Sequence, residues 1–218
     1  MRIELASGTP AELIRPSGEA SLGVVIAPDI FGLRPLFVDL CSSLAEEQGW
    51  AVAAIEPFPG RLLGDVDERF AAVKTLDDER LLGDLVAAGE ATECATVGLI
   101  GFCMGGMYAL KAAGLSHFHR VVAFYGMIRV PEAWKGFGTI EPLDKLANPL
   151  ASPTLAIIGE QDPYTPPEDV AALERTGRVT VVRYPDAEHG FVHDASRPSH
   201  RAEDAADAWQ RAIAFLTS

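Results

Sequence analysis

The chain has 218 residues, 48% of them hydrophobic and 22% charged, which supplies ample apolar surface for a core and excludes a disordered chain. Eighteen Lys and Arg against 31 Asp and Glu leave a formal charge of −13 with no local basic cluster, which argues against nucleic acid or an anionic membrane surface as partners. The length suits one domain spanning residues 1–218.

In chain order, Leu22–Ala27 is an apolar run suited to a buried strand. Leu36, Leu40 and Leu44 recur at helical spacing and predict a helix over Leu36–Gln48, ended by Gly49. Trp50–Ile55 reads as the next strand and Asp65–Ala88 as a helical pair. Thr96–Ile100 is a strand, Gly105–Ala113 a helix and Arg120–Tyr125 a strand. Gly126–Pro153, rich in proline and glycine and poor in periodicity, reads as a long surface excursion. Strand Thr154–Gly159, helix Pro167–Thr176, strand Thr180–Tyr184 and a last helix over Arg201–Leu216 complete the pattern. Continuous apolar strands alternating with helices predict an α/β fold, a mostly parallel sheet covered on both faces.

The segment Gly101-Phe102-Cys103-Met104-Gly105 lies between a strand and a helix and has the G-x-S-x-G spacing with cysteine in the serine position. A nucleophile on so sharp a turn needs small neighbours two residues away, and Gly101 and Gly105 meet that need. The sulfur then projects above the carboxyl edge of the sheet, at a helix N-terminus that favours negative charge. The same spacing makes Met104 N–H one oxyanion donor, and Ile30, in the loop Pro28–Gly32 after the first long strand, the choice for the second.

The acid and base of such a site follow the nucleophile in that order. Asp162 stands just after strand Thr154–Gly159, with Glu160 closer to the strand as its competitor. His189 stands in the loop after strand Thr180–Tyr184. His117 and His119 precede a strand and fall at the opposite edge of the sheet; His193 could line the pocket. Cys103, His189 and Asp162 together predict nucleophilic acyl transfer, with the imidazole moving the proton and the carboxylate holding its tautomer. Cys41 and Cys94 lack this setting; three cysteines without CxxC or Cys/His spacing suggest neither a disulfide framework nor a metal site. No apolar leader follows Met1, and the longest uncharged stretch, Cys94–Leu110, carries four glycines, so a cytoplasmic protein is expected.

Pro28-Asp29-Ile30-Phe31-Gly32, Gly101-Phe102-Cys103-Met104-Gly105-Gly106, Phe124-Tyr125-Gly126, Gly159-Glu160-Gln161-Asp162 and Glu188-His189-Gly190-Phe191 together resemble the dienelactone hydrolase family of the α/β-hydrolase superfamily. The resemblance implies hydrolysis of a small cyclic enol-lactone from aromatic breakdown by a monomeric enzyme without metal or organic cofactor. It also implies a thiol partner at Asp29, where the family carries glutamate; an aspartate there could also simply cap the following helix. The family binds the substrate carboxylate with two arginines. One position is occupied here by His193; the other falls among Arg61, Arg69 and Arg80, of which Arg69 and Arg80 are the candidates, with Arg34 and Tyr125 near the pocket mouth. Loss of an arginine at 193 opens a second reading, an unrelated carboxylic ester or thioester as substrate. A third reading is a non-catalytic binder or thiol sensor on the same scaffold.

Overall fold

The computed structural model describes residues 1–218. Its centre is an eight-stranded sheet in the order β1-β2-β4-β3-β5-β6-β7-β8. The strands from β4 (Ala51–Ile55) and β3 (Gly23–Ala27) through β5 (Val97–Phe102), β6 (Arg120–Phe124) and β7 (Thr154–Gly159) to β8 (Val179–Tyr184) are parallel. Two strands that the sequence reading does not contain, β1 (Arg2–Glu4) and β2 (Pro10–Ile14), extend the sheet antiparallel at the β4 edge. β1 has only three residues and β2 buries only alternate ones, so neither has the continuous apolar run that marks the central strands.

The alternation of side chains across each strand divides the core in two. Val24, Ile26, Val52 and Phe124 face α1 (Pro35–Gln48) and α7 (Ala202–Thr217), with Phe37, Cys41, Leu44, Ala208 and Ala212 opposite. Val25, Ala27, Leu99 and Val121 face the other side, where α3 (Asp78–Ala91) and α4 (Met104–Ala113) contribute Leu81, Leu85, Met107 and Leu110. The two helices of the predicted pair start where aspartates cap them. Asp65 accepts the Glu68 N–H ahead of α2 (Val66–Val73), and Asp77 accepts those of Glu79 and Arg80 ahead of α3. No helix is long and apolar enough to cross a membrane.

The stretch after β6 corrects the expectation of a surface excursion. Met127, Ile128, Val130, Trp134 and Leu146 are buried, and α5 (Pro142–Leu146) packs on α4. A 3-10 turn at Glu132–Trp134 lies against α2. Aperiodic spacing hid this burial, because the segment is pinned by isolated long-range contacts: Asp78, buried on α3, accepts hydrogen bonds from Ile140 N, Lys111 Nζ and Tyr108 Oη. α6 (Pro167–Glu174) covers the β7–β8 edge.

Candidate active site

Five loops leave the carboxyl ends of β3, β5, β6, β7 and β8 on one side of the sheet, the edge at which open α/β sheets bind ligands. The loop after β5 is the sharpest. Cys103 has φ 54° and ψ −116°, a strained conformation for a residue with a side chain, and it caps α4. The turn exists because its glycines lack Cβ atoms: one added at Gly101 would stand 2.1 Å from Gly105 O, and one at Gly105 2.0 Å from Ala27 O. Cys103 is partly exposed and lines a cavity of about 440 Å³.

His189 lines the same cavity, and its Nδ1 lies 2.7 Å from Asp162 Oδ2. Asp162 is held in turn by the Tyr164 N–H at 2.8 Å on Oδ1, and its carboxylate is buried. Glu160, the competing acid, is exposed and forms no bond to His189. The imidazole sits edge-to-face with two rings, Tyr125 at 5.2 Å and Tyr164 at 5.0 Å between centroids. Burial pushes the His189 pKa down, but the neighbouring Cys103 sulfur and the Asp162 carboxylate outweigh it and raise the imidazole to about 10. By contrast, burial drives the Cys41 thiol up to about 12, which leaves it an inert core residue.

Of the two residues expected to supply oxyanion donors, one lines the cavity and the other directly follows Cys103. Ile30 lines the cavity, and its N–H is bonded to no protein acceptor. Met104 is the first residue of α4, so its N–H has no intrahelical partner. The rest of the wall is apolar: Phe31, Val66, Phe70, Met127, Trp134 and Tyr164, with Arg197 as the one cation.

The structure separates the remaining expected residues from this wall. Asp29 forms no hydrogen bond to Cys103 and does not cap α1; its carboxylate is fully buried on Arg34, His193 and Arg197. His193 is equally enclosed, between Asp29 at Nε2 and the Tyr125 hydroxyl at Nδ1. Tyr125 itself is buried beneath His189 and has a φ of 39°. Arg80 is turned away altogether, spent on Asp84, Thr9 and the Pro57 carbonyl. Arg69 reaches the edge of the site, donating to the carbonyls of Leu63 and Ile30 and lying over the Phe31 ring, and it lines the adjoining cleft. Arg197 was not among the sequence candidates. It lies beyond the base in a polar loop without periodicity, and only the fold shows that Gly190 makes room for it: a Cβ there would meet Nη1 at 2.8 Å.

No group of three or more His, Cys, Asp or Glu side chains is arranged to hold a metal ion. The arrangement is instead that of a thiol, an imidazole on a carboxylate, and two free backbone N–H groups around an apolar cavity.

The family model described as "Dienelactone hydrolase family" matches residues 10–218. The carboxymethylenebutenolidase of Rhodococcus opacus is 29% identical over 226 residues, covering 95% of this chain and 86% of the relative. A Synechocystis protein provisionally given the same name is 31% identical over 206 residues, covering 86% of this chain and 82% of the relative. A Klebsiella pneumoniae crystal structure, provisionally described as a dienelactone hydrolase, superposes with a TM-score of 0.88 at 25% identity, covering 100% of this chain and 98% of the other. With an α/β-hydrolase sheet and family-wide similarity along nearly its whole length, the chain belongs to the dienelactone hydrolase family and is a hydrolase of lactone or ester bonds.

Proposed function

We propose that the protein hydrolyses a small lactone or ester through Cys103 as nucleophile, His189 as base and acid, and Asp162 as the orienting carboxylate. The observation that carries this reading is the convergence of Cys103 and the Asp162-bound His189 on one apolar cavity. The thiolate attacks the carbonyl carbon and a C–S bond forms. The oxyanion is met by the N–H groups of Ile30 and Met104. As the C–O bond breaks, the imidazolium of His189 gives its proton to the leaving oxygen. Water, deprotonated by His189, then attacks the thioester, releasing the acid and regenerating the thiolate.

The apolar wall suits a flat, unsaturated acyl group, and Arg197 is the cation that would meet an acidic substituent on it. An enol-lactone of the dienelactone type has both features. A plain carboxylic ester or a thioester is the second reading, favoured by the fact that a single arginine stands on an otherwise apolar wall. The test is turnover of dienelactone beside a p-nitrophenyl ester, by the wild type and by Cys103→Ala. Both activities should fall by at least about a thousandfold in the variant. Retained turnover in Cys103→Ala would overturn the nucleophile; ester turnover without lactone turnover would keep the mechanism and select the second reading.

A further inference from the structure

Asp29 is fully buried, yet its two carboxylate oxygens take five hydrogen bonds. Oδ1 accepts from Phe31 N at 2.9 Å and Arg34 Nη1 at 2.6 Å. Oδ2 accepts from His193 Nε2 at 2.8 Å, Arg34 Nη2 at 3.0 Å and Arg197 Nη2 at 3.4 Å. A carboxylate so engaged would have to abandon several donors to reach a thiol, and burial would then charge it the full cost of an unpaired ion.

What the bonds do is local. The Asp29 side chain accepts from Phe31 N, and its carbonyl accepts from Gly32 N at 3.0 Å, which closes a tight turn around Ile30. Arg69 Nη1 holds the Ile30 carbonyl from the far side at 3.3 Å. The Gly32 bond thus fixes the peptide that carries the Ile30 N–H, while Asp29 Oδ1 and Arg69 fix the following Ile30–Phe31 peptide, so the backbone is held on both sides of the Ile30 Cα. The same carboxylate reaches the base by another route, because His193 bonds Tyr125, whose ring lies edge-on to His189.

We propose that Asp29 is the positioning residue of the oxyanion loop: its buried carboxylate, clamped by Arg34, Arg197 and His193, sets the direction of the Ile30 N–H. The proposal rests on the reading of Cys103 as nucleophile and Ile30 as oxyanion donor. It replaces the role of thiol partner that the sequence suggested for this position.

The two roles separate experimentally, because hydrolysis needs the oxyanion donors and alkylation does not. Iodoacetamide reacts with the Cys103 thiolate at a saturated carbon: a C–S bond forms, iodide leaves, and no carbonyl oxyanion develops. In Asp29→Ala, kcat for p-nitrophenyl ester hydrolysis should fall about a hundredfold with KM within about twofold, the size of effect seen when one oxyanion donor is lost. The alkylation rate should stay within about twofold of wild type from about pH 5 to about pH 9. Asp29→Asn should recover part of kcat, since its amide oxygen still accepts the Phe31 N–H, although it forfeits both ion pairs and is no more stable than the alanine variant to heat. Alkylation falling in parallel with hydrolysis would make Asp29 a thiol partner, and an unchanged kcat in Asp29→Ala would remove any catalytic role; either overturns the proposal. Should Asp29→Ala fail to melt cooperatively, Asp29→Asn carries the test: a fall of about tenfold in kcat without a change in alkylation supports the proposal, and activity that simply tracks thermal stability across the variants defeats it. Failure of the parent reading would appear separately, as turnover retained in Cys103→Ala.

Discussion

Two carboxylate–imidazole pairs stand side by side in this molecule, and their distances hardly differ: Asp162–His189 at 2.7 Å and Asp29–His193 at 2.8 Å. Their surroundings differ completely. His189 keeps some exposure, faces the cavity, and has the Cys103 sulfur as its neighbour, so its pKa is raised despite burial. His193 is sealed among Phe37, Phe102 and Tyr125, and burial, helped by Arg34 and Arg197, lowers its pKa below the ordinary value. A neutral His193 satisfies both its bonds at once, with Nε2–H donating to Asp29 and Nδ1 accepting from the Tyr125 hydroxyl. Asp29 is the mirror image. Burial pushes it up, but the hydrogen bonds of His193 and Arg34 hold it down to about 2. On the proposed mechanism the same two residue types thus make a proton-moving pair where a thiol and an open cavity adjoin them, and a fixed strut where arginines and aromatic rings enclose them.

The largest effect that separates the pairs is kinetic. His189→Ala should lower kcat by at least about a thousandfold, whereas His193→Ala should leave turnover within about tenfold. The second contrast is in stability. His193→Ala opens a buried void and takes one donor from a buried carboxylate, so urea unfolding should show a loss of about 3 kcal/mol that its small loss of turnover does not match. Equal losses of activity in the two variants would erase the distinction.

The pH dependence of stability should show the pairs with opposite signs. The folded pKa of Asp29 is depressed from 3.8 to about 2, so its contribution is present above the ordinary carboxylate value and is lost as pH falls towards 2. That difference corresponds to about 2 kcal/mol, which Asp29→Asn should remove from the acid side of the stability profile. The folded pKa of His189 is raised from 6.5 to about 10, so its contribution is complete below the ordinary imidazole value and is lost as pH rises through that range. Denaturant titrations at stepped pH would read both limbs; an acid limb unchanged in Asp29→Asn would show that Asp29 is not charged in the way the geometry requires.

The smallest effect concerns Arg197, which belongs to the buried pair at Nη2 and to the cavity wall on its other side. Arg197→Gln should raise KM about tenfold for an ester bearing a carboxylate and leave a neutral ester of the same size within about twofold. A parallel rise for both esters would make Arg197 a packing residue only.

Much of this site is legible in the sequence because its parts are local. The glycines around Cys103 mark a turn by their spacing within five consecutive residues, even though Gly105 also makes room for the distant Ala27 carbonyl; Asp162 stands three residues after the buried strand β7 and His189 five residues after β8. The roles of Asp29, His193, Arg80 and Arg197 were not legible in the same way. A one-methylene difference at Asp29 gives no sign that the carboxylate turns inward, and His193 four residues after the base looks like a pocket residue until its ring is seen bonded on both nitrogens. Arg69 and Arg80, both on the helical pair, are chemically equivalent on paper; only packing sends one to the Ile30 carbonyl and the other to Thr9, Asp84 and the Pro57 carbonyl.

By itself, the sequence determines the chain order of the central strands and helices, the sharp turn at Cys103 and the placing of Asp162 and His189 in the loops after β7 and β8, since each is encoded by periodicity or by a turn whose backbone tolerates few residues. The tertiary structure alone decides which arginine reaches the cavity, what encloses His193 and what Asp29 holds. Those contacts join residues as far apart as 164 and 168 positions along the chain, and the direction of a buried side chain there is chosen by the charges and volumes that enclose it rather than by any spacing in the sequence.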